Sequence, residues 1–144
     1  MSTEKNREVA LQWLEGAWNR GNLSLLDELY QPDYISHSMP PGLPGNRDGL
    51  AQLVTIFRTA MPDFHMTIED MIAAGDKVAV RFVADGTQTG ELMGIPPTGR
   101  HGSATGMIIA RFEDGKWAED WFNWDQFGML QQLGVIPVPE GAGA

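Results

Sequence analysis

The chain has 144 residues, no cysteine, 42% hydrophobic residues and a formal net charge of −9. This composition suits a single domain, residues 1–144, with a real core; it excludes disulfides, thiol nucleophiles and thiolate metal sites, and the charge argues against nucleic acid or an anionic membrane as partner. No apolar run of about 18 residues is present and the N-terminus lacks a basic-then-apolar leader pattern, so a cytoplasmic protein is expected.

Residues 3–19 form an amphipathic helix in which Val9, Ala10, Trp13, Leu14, Ala17 and Trp18 follow helical spacing. Gly21 closes it. A short second helix begins at Ser24 and packs Leu25, Leu26 and Leu29, and "QPD" breaks it. Tyr34–Ser38 reads as a brief strand. The Pro/Gly-rich "MPPGLPGNRDG" is a loop of roughly ten residues. A third helix runs from about Arg47 to Met61. The period then switches to two. Phe64–Ile68, with a bend at Asp70, Val78–Ala84, "SATGMIIARFE" and "WAEDWFNWD" read as strands, and the last two are joined by the hairpin signal "DGK". "GTQTGELMGIPPTGRHG" is a long excursion before them. The short helix "QFGMLQQLG" and a flexible tail from about residue 137 complete the chain. Helices followed by long antiparallel strands imply an α+β fold with helices on one face of the sheet.

Four stretches carry a resemblance: "YISHSMPPGLPGNRDGL", "MPDFHMTIEDMIAAGDKVAVRF", "GTQTGELMGIPPTGR" and "DGKWAEDWFNWDQFGMLQQLG". Through them the chain resembles the SnoaL-like polyketide cyclases of the nuclear-transport-factor-2-like superfamily, from about residue 5 to 136. The resemblance implies an α+β cone, a curved antiparallel sheet packed against N-terminal helices around an apolar pocket, and a homodimer. It also implies chemistry without metal or cofactor: a carboxylate takes a proton from carbon, and the enolate attacks a carbonyl. At the two positions where the family's cyclases carry their aspartate and histidine, this chain has Phe122 and Ile108, which cannot transfer a proton. Trp18 and Leu53 match pocket-lining positions.

Alternation places Asp120, Phe122 and Trp124 on one face of the last strand and Glu119, Trp121, Asn123 and Asp125 on the other. Asp120 either enters a dry pocket, where desolvation favours its neutral form, or stays solvated at the mouth or pairs with Arg111 or Arg81. His37, beside the Pro/Gly loop, is either a proton-transfer group or a surface histidine bonded to that loop. His65 belongs to the outer face and His101 to an exposed loop. Asp120 and His37 are the expected acid/base pair. Trp18, Leu53, Phe57, Ile108, Phe122 and Trp124 are expected to shape the substrate pocket, with Gln88 and Thr89 offering hydrogen bonds to a substrate carbonyl. His37, Asp120 and Gln88 lack metal-ligand spacing, so no metal and no cofactor is expected. Trp13, Trp117 and Trp121 are assigned to core or dimer surface. The expected activity is general acid/base catalysis on a hydrophobic polyketide-like molecule, by aldol-type cyclisation, isomerisation or hydration. The alternatives are a non-catalytic binding module and a cofactor-independent hydroxylase.

Overall fold

A computed structural model describes residues 3–137. The expected flexible tail lies, apart from Pro137, outside the described residues. The elements are α1 (Thr3–Trp13), a π-helical turn (Leu14–Trp18), α2 (Leu25–Leu29), β1 (Tyr30–Ser36), α3 (Arg47–Ala60), β2 (His65–Ala74), β3 (Lys77–Thr87), β4 (His101–Glu113), β5 (Lys116–Trp124) and α4 (Gln126–Gln132). The five strands form one curved sheet in the order β1-β5-β4-β3-β2. β1 runs parallel to β5, and the other neighbours are antiparallel. The fold is the expected α+β class, with helices on the concave face.

Strict period-two alternation builds that face. Along β3, Val78, Val80, Phe82 and Ala84 are buried, and along β4, Ala104, Ile108, Ala110 and Phe112. The β4–β5 turn has Asp114 at φ 52° and Gly115 at φ 76°, the left-handed pair that a two-residue hairpin needs. Gly106 pairs with Phe82 in register, and a Cβ there would strike the Phe82 ring, so the glycine makes room for an aromatic on the concave face.

Several boundaries differ from expectation, for physical reasons. The first helix ends in a π turn rather than running on regularly. Asn19 fastens that turn to β2, its amide donating to the Met66 carbonyl at 2.9 Å and accepting from the Met66 N–H at 2.7 Å. β1 begins at Tyr30 and carries Pro32 within it. An edge strand tolerates a proline because no ladder N–H is required there, and the β1–β5 register is irregular between Tyr30 and Ile35. The bend at Asp70 is a register irregularity inside a longer β2. His101 opens β4 instead of lying in a loop, exposed, as Thr87↔His101 pairing extends the β3–β4 ladder.

Candidate active site

Between α1, the π turn, α3 and the concave sheet face lies a hollow of about 740 Å³, its open mouth included. Trp13 reaches it from the end of α1, and Leu14 and Trp18 from the π turn, an element often found at functional sites. Leu50, Leu53 and Phe57 reach it from α3, whose first turn is capped by the Asn46 side chain accepting from the Gly49 N–H at 3.0 Å. Pro40 closes one side from the Pro/Gly-rich loop. Trp18, Phe57, Phe64 and Trp124 form an aromatic wall with centroids 5.4–6.2 Å apart. All six expected apolar lining residues, Trp18, Leu53, Phe57, Ile108, Phe122 and Trp124, stand on this hollow.

Among the described residues, Asp120 is the one charged residue lining it. It is 3% exposed. Its Oδ2 accepts from the Tyr34 hydroxyl at 2.7 Å and from the Trp117 indole N–H at 3.0 Å. Its Oδ1 is buried without a partner among the described residues. Burial pushes its pKa above the ordinary aspartate value, against the opposing Tyr34 and Trp117 hydrogen bonds, the nearby Ser36 hydroxyl and the charge of His37. Burial, and then the neighbouring carboxylate, push the Tyr34 hydroxyl upward as well, so it stays a neutral donor. Neither Arg111 nor Arg81 reaches this aspartate: Arg111 pairs with Glu119 at 2.8 Å and Arg81 with Asp70 at 2.7 Å.

A β-bulge explains how Trp117 comes to serve Asp120. Arg111 pairs with Glu119 but Phe112 pairs with Trp117, so Ala118 is the extra residue. Residues 117 and 120 therefore both point inward, whereas unbroken alternation sends them to opposite faces. Tyr34 and Trp117 are the site residues that sequence reasoning missed.

His37 is not in the hollow. Its Nε2 lies 2.6 Å from Glu119 Oε2, its ring stacks on Trp121 at 5.0 Å, and its side chain is 42% exposed. The strand end that was expected to aim it at Asp120 sends it to the outer face, leaving only its backbone N–H to donate to the Asp120 carbonyl at 3.1 Å. Glu119, held below the ordinary glutamate value by Arg111 and then His37, is its partner instead. His65 is exposed as expected.

Gln88 is not on the hollow either. It is fully buried, and its amide donates to the Ile95 and Pro96 carbonyls at 3.1 and 3.2 Å while its oxygen accepts from Thr98 Oγ1 at 2.8 Å. It pins the 91–99 excursion and, being fully buried away from the hollow, presents no polar atom to a substrate. Thr89 gives its backbone N–H to the Ala60 carbonyl at 3.0 Å. His37, Asp120 and Gln88 thus occupy three separate places. Replacing Gln88 with alanine strands the loop's carbonyls, and a loss of about 1–3 kcal/mol is expected in urea denaturation, with unchanged affinity for an apolar probe in the hollow.

Residues 8–133 match the family model described as SnoaL-like polyketide cyclase. The chain belongs to the SnoaL-like polyketide cyclase family. Nogalonic acid methyl ester cyclase of Streptomyces nogalater is 33% identical over 130 residues, covering 88% of this chain and 96% of that one. The solved structure of IdmH from Streptomyces antibioticus, a candidate polyketide cyclase, is 37% identical with TM-score 0.78, covering 90% and 99%. That of AclR from Streptomyces galilaeus, a candidate hydroxylase, is 30% identical with TM-score 0.83, covering 96% and 91%. Family membership shows a fold and a chemical neighbourhood, while the reaction rests on the site. Against the family's expected acid/base positions, Ile108 and Phe122 are register partners here and face the hollow side by side. Neither can transfer a proton, and the Asp120 carboxyl lies one pleat along the same strand from Phe122.

Proposed function

We propose that this chain is a small-molecule enzyme of the cyclase/isomerase type, using Asp120 as its single acid/base group on a neutral, flat, polyketide-like substrate. The carrying observation is the lone buried carboxyl in an otherwise apolar hollow, held by one oxygen and free at the other. A carboxyl with a raised pKa is suited to take a proton from carbon and return it. The same group serves aldol-type ring closure, isomerisation and hydration, and the reading calls on no cofactor. A neutral ester or ketone suits a hollow whose one charge is negative, and the name of the nogalonic acid methyl ester cyclase specifies an ester. Loss of the expected histidine partner leaves the binding-module alternative in play, and the candidate hydroxylase relative supports the third. Mass spectrometry of products from a poly-β-keto methyl ester separates them. Ring closure or isomerisation leaves the mass unchanged with a new retention time, hydration adds a water, and hydroxylation adds one oxygen. An unaltered substrate pool that nevertheless binds would sink the enzymatic reading.

We also propose that the convex face joins two copies. Ile72, Ala79, Ile109 and Trp121 are successive register partners across four strands, and three of them are exposed. The flanking charges are already paired within the chain, Arg81 with Asp70 and Arg111 with Glu119. Two acidic chains can therefore meet there without juxtaposing unpaired like charges. Sedimentation of wild type as a dimer and of Ile109→Lys as a monomer is expected; a monomeric wild type refutes the interface.

A further inference from the structure

Two buried polar atoms on the concave side have no hydrogen-bond partner among the described residues: Asp120 Oδ1 and the Tyr30 hydroxyl. Both residues line the hollow. Such orphans are costly and rare in native proteins, and two on one apolar cavity call for a shared explanation. Trp117 ties them together. Its indole stacks on the Tyr30 ring at 5.0 Å and 15°, while its N–H holds Asp120 Oδ2. Trp13 and Tyr34 pack edge-on against the same Tyr30 ring at 4.9 and 4.8 Å, so the phenol is fixed on three sides. Tyr30 is 1% exposed.

The chemistry of the two atoms is complementary. Trp117 N–H can only donate, so Oδ2 is committed as an acceptor, and a proton arriving on Asp120 goes to Oδ1. The Ser36 hydroxyl, beside Asp120 in register, accepts from the Ser38 N–H at 3.3 Å and makes no hydrogen bond to Oδ1. Burial, then Tyr34 and Asp120, raise the Tyr30 pKa, which keeps its hydroxyl a neutral donor.

Building on the acid/base role of Asp120, we propose that Tyr30 and Asp120 Oδ1 form a two-point port for an enolisable ketone: the Tyr30 hydroxyl donates to the carbonyl oxygen while the carboxylate removes the adjacent C–H proton. The C–H electron pair becomes the enolate C=C bond, the carbonyl π pair moves onto oxygen, and Tyr30 stabilises the resulting oxyanion. The proton on Oδ1 then returns to carbon, or to the alkoxide formed when the enolate closes a ring. Tyr30 is a catalytic residue in this scheme; Trp117 and Tyr34 are positioning residues. The substrate class is a neutral polycyclic or pre-cyclic compound with an acidic C–H beside a ketone.

The test uses 2-tetralone, a flat enolisable ketone, and tetralin, its hydrocarbon counterpart. Binding is read by tryptophan fluorescence quenching and enolisation by deuterium uptake in D₂O, followed by NMR. Wild type should bind the ketone more tightly than the hydrocarbon, and Tyr30→Phe should lower ketone affinity about 5- to 10-fold while leaving tetralin binding unchanged. Tyr30→Phe should also slow deuterium uptake by about 10²-fold, and Asp120→Asn should reduce it to the buffer rate. If Tyr30→Phe matches wild type in both assays, the port is overturned while the acid/base role of Asp120 stands. If Asp120→Asn exchanges as wild type does, the acid/base role fails, and the Tyr30 contact is judged by ketone binding alone. Ketone binding no tighter than tetralin in wild type overturns the port outright. Because the hydroxyl is orphaned, Tyr30→Phe should keep or raise Tm by up to about 4 °C; a fall of similar size would mark the hydroxyl as structural and overturn the assignment.

Discussion

Asp120→Asn is expected to lower turnover by about 10²–10⁴-fold without loss of stability at neutral pH. The variant keeps a side-chain oxygen for the Tyr34 and Trp117 donors and loses only the ability to carry a proton. Its stability profile follows from the raised pKa of the wild-type carboxyl. Below the ordinary aspartate value of about 4 the group is neutral both folded and unfolded. As pH rises through the raised folded value, the native state must ionise a desolvated carboxyl that the unfolded chain ionises freely, so stability is lost upward in pH. Asp120→Asn removes that loss, and its stability advantage over wild type should grow above about pH 4. Glu119 has the opposite sign, since its lowered pKa gives stability that is present above the ordinary glutamate value and lost as pH falls through the folded one. Its exposure makes that contribution small. Thermal melts at several pH values, alongside single-turnover assays, check both halves. A variant that melts far below wild type at pH 8 would show the carboxylate to be structural. In the same assay His37→Ala should keep wild-type turnover, because its imidazole lies on the outer face.

Gly49→Ala is expected to destabilise the chain by about 3 kcal/mol or more and to distort the pocket rim. Gly49 lies in the first turn of α3, and a Cβ there would overlap the Pro44 carbonyl oxygen and press on the Pro44 carbonyl carbon. Those are backbone atoms, which cannot swing aside as a flexible side chain does. The same residue donates its N–H to the Asn46 cap at 3.0 Å, so relief by moving the turn breaks the cap. The loop that must shift carries Pro40, which lines the hollow, and Ser38, whose Oγ accepts from the Phe122 N–H at 2.8 Å. Stability and pocket shape are therefore coupled through one glycine. Urea denaturation and apolar-probe affinity should both fall; a normally stable Gly49→Ala chain would show that the loop is free to move away from α3.

The sequence alone determined the element classes and which side chains share a face wherever the period is unbroken. Residues 118–124 of β5 alternate without interruption, so the sequence groups Asp120, Phe122 and Trp124 on one face, and all three stand on the hollow. The resemblance pointed to Trp18 and Leu53 as pocket-lining, and the apolar stripe of α3 groups Leu53 with Phe57. The Asp114–Gly115 turn was legible because left-handed φ values select those residues.

What the chain's linear order could not determine lies at register breaks and in long-range pairing. The Ala118 bulge turns Trp117 inward beside Asp120, and nothing in the local alternation announces an extra residue. The irregular, parallel β1–β5 pairing brings Tyr34 to the carboxyl from 86 residues away, and it sends His37 to the far face, where Glu119 takes it up. Gln88 looked available because a glutamine in a loop usually is; only folding of the excursion onto it uses all its polar atoms. Side-chain direction within a strand is set by local geometry, so sequence carries it. Which polar group meets which across the sheet is set by how distant segments pack, and only the tertiary structure decides that.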